Sequence, residues 1–131
     1  MIVVDASAVA AALVVDAPIG ALASERLASD HDQHAPSLID LELISMIRRW
    51  LVQGRLGSAQ AGQAIADLTS LPIQRYPHVA LVPRVWELRH DLTPYDAAYV
   101  ALAESLGAVL VTADARLARA PGPQCSIDLL E

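Results

Sequence analysis

Four carboxylates in this 131-residue chain, Asp5, Glu42, Asp96 and Asp114, each adjoin or interrupt an apolar run. Asp5 ends Met1-Ile2-Val3-Val4, and Glu42 lies within Leu38-Ile39-Asp40-Leu41-Glu42-Leu43-Ile44. Asp96 opens a segment that continues Ala-Ala-Tyr-Val-Ala-Leu-Ala, and Asp114 follows Val109-Leu110-Val111-Thr112-Ala113. An ionised acid buried alone is driven to neutralise, so several in apolar surroundings call for a shared positive partner. The chain contains no Lys. A divalent cation therefore suits the four acids better than a set of salt bridges, and hard oxygen ligands suit Mg²⁺ or Mn²⁺ better than zinc.

Three of the acids also have a local reading. Asp5 can end a strand at a turn, and Asp114 can cap a short helix through Leu117. In Thr93-Pro94-Tyr95-Asp96, Thr93 fits the N-cap, Pro94 the first helical position and Asp96 the third, much as in a capping box. Glu42 has the weakest local excuse, because its helix neighbours Leu38, Ile39, Ser45 and Met46 make a largely apolar face. The joint pattern, rather than any one acid, carries the chemical reading.

The elements that must position these acids alternate between strand and helix. Strand Met1–Val4 precedes helical stretches around Ser7–Val15 and Ile19–Ser29. Asp30–Ala35 reads as a turn into a short second strand, and Pro36 and Ser37 start a long helix to about Val52, stopped by Gly54. Ser58–Ser70 makes an antiparallel hairpin with it. Pro72–Tyr76 is a third strand, His78–His90 and Pro94–Leu106 are helices, and Gly107 closes the latter. Ala108–Thr112 is an apolar fourth strand of the kind found at the centre of a parallel sheet, and Ser126–Leu129 is an edge strand. The alternation predicts an α/β fold, an open parallel sheet with helices on both faces. In such sheets the reactive site lies beyond the carboxyl ends of the strands, which is where Asp5 and Asp114 fall.

Composition bounds the function without assigning it. The length fits a single domain spanning 1–131. The apolar fraction of 54% is inflated by 24 alanines and hints at an interface. The lone Cys125 fits a reducing, cytoplasmic setting. No run reaches the ~18 apolar residues of a membrane span. The N-terminus lacks a basic region and carries Asp5 in its apolar run, unlike a signal peptide. The net charge of −6 is unusual for a binder of nucleic acid. All nine basic residues are Arg, however, and Arg48, Arg49 and Arg55 follow Glu42 where they can track a phosphate backbone or form a solvated face. His31 and His34, with Asp30 and Asp32, form a weak candidate metal cluster in a loop. The few aromatics, Trp50, Trp86, Tyr76, Tyr95 and Tyr99, read as core or interface.

The segments Ile2–Ala8, Ala35–Glu42, Leu92–Glu104 and Leu110–Asp114, in this order and spacing, resemble the PIN-domain ribonucleases, and within them the VapC toxins of toxin–antitoxin pairs. The resemblance runs from Ile2 to about Asp114. It implies a strand order 3-2-1-4-5, which makes the first and fourth strands neighbours. It also implies Mg²⁺-dependent endoribonuclease chemistry (Mn²⁺ substituting) at Asp5, Glu42, Asp96 and Asp114. Asp5 and Asp96 are the expected direct metal ligands, and Glu42 and Asp114 complete the shell through water or orient the attacking water. Ser7 and Thr112 resemble the family's small hydroxyl residues that hydrogen-bond the acids. The resemblance further implies an RNA substrate, a homodimer and a VapB-type antitoxin, for which the hairpin Leu38–Ser70 offers Ile44, Ile47, Trp50, Leu51, Ile65 and Leu68. Arg116 stands where some PIN domains carry a further acid, which leaves a second metal open.

Two other classes compete. Receiver domains and haloacid-type phosphatases also place an Asp after the first strand, but both use a Lys that this chain lacks. A catalytically inactive PIN-fold interaction module would have no physical reason to hold costly carboxylates together.

Overall fold

The computed structural model describes residues 1–14 and 18–131. The strands are β1 (Ile2–Val4), β2 (Gln33–Pro36), β3 (Ile73–Tyr76), β4 (Val109–Thr112) and β5 (Ile127–Leu129). The helices are α1 (Ala6–Val14), α2 (Pro18–Ala28), α3 (Ile39–Val52), α4 (Ser58–Leu68), α5 (Val82–Glu87), α6 (Pro94–Leu106) and α7 (Ala115–Arg119), with a 3₁₀ turn at Val79–Leu81 before α5. The expected end of the first helix at Val15 lies outside the described residues.

All strand pairs are parallel, in the order β3-β2-β1-β4-β5. This is the expected order, and it makes β1 the central strand, with Val4 opposite Val111 of β4. The chain steps from β1 to β2 to β3 in one direction, then returns across the sheet to β4 and β5. Right-handed crossovers put α1–α4 on one face and α5–α7 on the other. Ile2, Val3 and Val4 are consequently covered on both sides and buried, as are Leu110 and Val111. Ala97, Val100, Ala101 and Leu102 of α6 and Ala8, Val9 and Leu43 from the opposite layer join this core. A smaller cluster of Ile47, Leu56, Ala61 and Ala64 closes the α3–α4 hairpin.

Several expected boundaries move, each for a local reason. Pro36 ends β2 rather than starting α3. The N–H groups on either side of it face β3, where Ser37 N donates to Tyr76 O (2.8 Å). By strand alternation the Pro36 nitrogen faces β1, whose pairing with β2 has ended at His34, so its missing N–H leaves no gap. The continuous helix expected over His78–His90 does not form. Pro83 cannot donate to Val79, so the chain makes a 3₁₀ turn and then the short α5. Ser58–Ser70 shortens at Leu68, where Thr69 Oγ1 donates to Ala66 O (2.9 Å). The caps of α6 match expectation. Thr93 Oγ1 accepts from Asp96 N (3.2 Å), and Gly107 takes φ 65° while its N–H reaches Ala103 O and Glu104 O.

His31 and His34 do not form a joint site. His31 is exposed, whereas His34 is buried in β2, its Nδ1 2.6 Å from Tyr76 Oη and its Nε2 2.6 Å from Asp32 Oδ1. Loss of such a pair of part-buried contacts costs about 1 kcal/mol. In urea unfolding, His34→Ala should lose stability on that order and His31→Ala should not.

Candidate active site

Asp5 is the first residue beyond β1 and remains in register with β4, its N–H donating to Val111 O (3.2 Å). Its side chain is buried, and both oxygens accept hydrogen bonds. Oδ1 accepts from Ser7 Oγ (2.7 Å) and from the Ala8 N–H (2.9 Å), and Oδ2 accepts from Thr112 Oγ1. The two hydroxyls also serve the other side of the junction: Ser7 Oγ accepts from Ala113 N (2.9 Å), and Thr112 Oγ1 accepts from Asp114 N (3.0 Å). With both hydroxyl hydrogens committed to Asp5, the 3.2 Å approach of Ser7 to Thr112 is a contact between acceptors. Ser7 and Thr112 thus hold Asp5 as the sequence suggests, and they fix the β4–α7 turn at the same time. Burial nevertheless raises the Asp5 pKa to about 6, against the lowering effect of these hydrogen bonds, and the charge of Asp96 adds to the rise.

The other three acids approach from separate elements. Glu42, in the first turn of α3, is half-buried, and its Oε1 accepts from Tyr99 Oη at 2.6 Å. Burial pushes its pKa up, Tyr99 opposes, and the charges of Asp96 and Asp5 push it further. Asp96, in the first turn of α6, is raised by burial and then by Asp114, with Arg116 opposing. Asp114 caps α7: its Oδ1 accepts from the Arg116 N–H (2.9 Å) and its Oδ2 from Arg116 Nη2 (3.1 Å). The local readings of Asp96 and Asp114 are therefore correct as far as they go, and both residues lie in the shared field as well. Asp5 feels Asp96, Glu42 feels Asp5 and Asp96, and Asp96 feels Asp114. Asp5 and Asp114 follow the carboxyl ends of β1 and β4, and Glu42 and Asp96 lie near enough for their charges to act there.

The cluster is open. Among the described residues, no three His, Cys, Asp or Glu side chains stand close enough to enclose a metal ion by themselves. Carboxylate oxygens are donors for a hard ion, which can keep several waters and take only one or two carboxylates directly. The donor set is all oxygen; burial is the main cause of the raised pKa values, and the neighbouring acid charges add to it. In the free-acid geometry, Asp5 Oδ1 already has two donors and Oδ2 has one, which leaves a single acceptor direction on Oδ2.

Tyr99 is the site residue that the sequence reading assigns to packing. Its ring is buried in α6, three residues beyond Asp96 and so on the same helix face, which is the only signal in the sequence. Burial, then the Glu42 contact, drives its pKa far upward, so the hydroxyl stays protonated and must donate to Glu42. Arg48 and Arg49 are exposed on α3, and Arg55 stacks 5.6 Å from the Trp50 ring. In the hairpin, Ile47 is buried in its own packing and Leu68 in the main core, while Ile44, Leu51 and Ile65 remain exposed.

Known proteins resemble this chain in sequence and fold. The family model described as PIN domain matches residues 2–123. Ribonuclease VapC9 of Mycobacterium tuberculosis (strain ATCC 25618 / H37Rv) is 47% identical over 131 residues, covering 99% of this chain and 98% of that protein. Ribonuclease VapC12 of the same strain is 39% identical over 130 residues, covering 99% of both. Among solved structures, PAE2754 from Pyrobaculum aerophilum superposes with a TM-score of 0.73 at 26% identity, covering 97% of this chain and 82% of that one. VapC20 of Mycobacterium tuberculosis, a sarcin–ricin loop cleaving toxin, gives 0.70 at 22% identity over 89% and 92%, a likeness of fold alone.

The raised Asp5 pKa sets the pH dependence of the metal-free protein. A carboxyl with a folded pKa of about 6 and an ordinary value of 3.8 binds its proton more tightly when folded. The native state therefore gains stability as pH falls from 7 through 6 toward 4, on the order of 3 kcal/mol from this group alone. Glu42 and Asp96 shift in the same direction. In EDTA, urea midpoints should rise between pH 7 and pH 5; a flat or falling profile contradicts the buried-acid geometry.

Proposed function

The chain belongs to the PIN-domain family, and on that premise we propose that it is a metal-dependent endoribonuclease toxin of the VapC kind. It hydrolyses RNA phosphodiester bonds with Mg²⁺, or Mn²⁺ in its place, at Asp5, Glu42, Asp96 and Asp114. The observation that carries this reading is the buried Asp5 carboxylate at the end of the central strand, held by Ser7, Thr112 and the Ala8 N–H, with the charges of Glu42, Asp96 and Asp114 gathered beside it. The near full-length identity to VapC9 and VapC12 gives the reaction class.

A bound divalent ion supplies a Lewis acid for a phosphoryl oxygen and lowers the pKa of a water. The chain's own residues do the positioning. Asp5, held rigidly by Ser7, Thr112 and the Ala8 N–H, presents one remaining acceptor direction as a metal ligand. Asp96 supplies the second direct ligand. Glu42, fixed through Oε1 by Tyr99, keeps Oε2 to orient the attacking water and take its proton. Asp114 completes the acid set at the start of α7. Water adds to phosphorus, the bond to the leaving 3′-oxygen breaks, and that oxygen is protonated from solvent.

The partners follow from the same reading. We assign the protein a VapB-type antitoxin, a homodimeric state and a cytoplasmic location. Exposed Leu41, Ile44, Leu51, Val52 and Ile65 on the α3–α4 hairpin support an apolar contact surface. No single described helix is long and apolar enough to cross a membrane.

Alanine at any of the four acids should abolish cleavage of total RNA while far-UV circular dichroism stays unchanged. Asp96→Asn is the cleanest isostere, because Asp5→Asn also disturbs an oxygen that accepts from a buried donor. Full activity in Asp96→Asn reduces Asp96 to a helix cap and overturns its metal role. Mn²⁺ at a hundred times its Kd should stabilise the wild type by about 2.7 kcal/mol, and Asp96→Asn far less.

Glu42→Gln should separate stability from activity. Without metal the variant should be more stable, since one repelling charge is gone while Tyr99 can still donate to the amide oxygen. Cleavage should fall. A variant less stable in EDTA and fully active places Glu42 outside the site.

A further inference from the structure

Among the principal charges acting on Asp5, Glu42 and Asp96 in the described residues, Arg116 alone is positive. Three of the other arginines are tied into ion pairs away from the acids: Arg26 with Asp128, Arg75 with Asp40, and Arg84 with Glu104. Arg116 is held differently. Its backbone N–H donates to Asp114 Oδ1, which anchors its Cα at the site, while its side chain is 85% exposed and bonds Asp114 Oδ2 through Nη2 alone. A guanidinium has five N–H donors in a planar fork that matches a phosphate. Four of these have no partner among the described residues beyond that single 3.1 Å bond.

We propose that Arg116 is a substrate-binding residue that takes a phosphate of the RNA backbone beside the acid cluster and, in doing so, releases Asp114. The inference rests on the nuclease reading above. A chain with a net charge of −6 and no Lys repels a polyanion, most strongly at four clustered acids. One fixed, accessible cation at their edge gives the backbone a place to dock. An exposed ion pair such as Asp114–Arg116 contributes little stability, so exchanging its carboxylate for a phosphate meets little resistance. A phosphate can engage the fork bidentately, which Asp114 does not in the free protein. The exchange also returns Asp114 Oδ2 to the acid set when substrate is present.

The test is steady-state cleavage, in Mn²⁺, of an RNA fragment that the wild type cuts, between 50 and 200 mM salt, for wild type, Arg116→Gln and Arg116→Lys. Arg116→Gln should raise KM about tenfold, equivalent to one charge-assisted contact. The slope of log KM against log salt should shrink by about 0.7–0.9, as for one lost phosphate contact. Arg116→Lys should restore the slope but only part of KM, because it keeps the charge without the fork. Melting temperatures in EDTA should hardly change. If KM and slope in Arg116→Gln match wild type, Arg116 is only the partner of Asp114 and the inference fails. If wild-type protein cuts no RNA, the nuclease reading falls and this one with it.

Discussion

The burial of Asp5 is the constraint around which the molecule is organised. A carboxylate at the end of the central strand, covered by helices on both faces, is tolerable only with donors on both oxygens. Ser7 and Ala8 supply them from the start of α1, and Thr112 supplies one from the end of β4. The same hydroxyls accept from Ala113 and Asp114. One small network therefore satisfies a buried charge, locks β1 against β4 and sets the turn that presents Asp114. The adjacency of β1 and β4 is what makes such a network possible, so topology and site are a single arrangement.

The network does not neutralise the cluster. Asp5 remains raised despite its donors, and Glu42 and Asp96 are raised with it. A fold selected only for stability would replace these acids. Acids held together in apolar surroundings are what the proposed metal site requires. The protein limits the expense by giving the other three acids local partners as well: Tyr99 for Glu42, Thr93 for Asp96, and Arg116 for Asp114. These partners differ in strength. The Tyr99 bond is buried and fixed, whereas the Arg116 pair is exposed and exchangeable.

The acidity of the whole chain also finds its place in this picture. A strongly basic surface would hold RNA anywhere; on the proposed function, a negative protein whose positive potential came from a metal and one arginine at the acid edge would bind only where it can react. The nine arginines are accordingly not a general electrostatic footprint, since at least three of them are internal struts between elements.

By itself the sequence determined the alternation of strands and helices, the apolar character of β1 and β4, the capped ends of α6 and the positions of the four acids relative to those elements. These are local properties, written in periodicity, cap residues and the residues that end each strand. Ser7 and Thr112 were singled out by the family resemblance, helped by their closeness in the chain to Asp5 and Asp114. The helix expected to start at Pro36 and the one expected to run through Pro83 were both wrong, because whether a missing N–H matters depends on which strand or turn faces it. Only the tertiary structure decided that the Tyr99 hydroxyl meets Glu42, 57 residues away, and that Thr112 reaches Asp5 across 107. The same is true of His34, which belongs to the sheet rather than to a metal cluster. Buried hydrogen bonds between distant segments leave no pattern in the linear chain; they exist only once packing has excluded water from both partners.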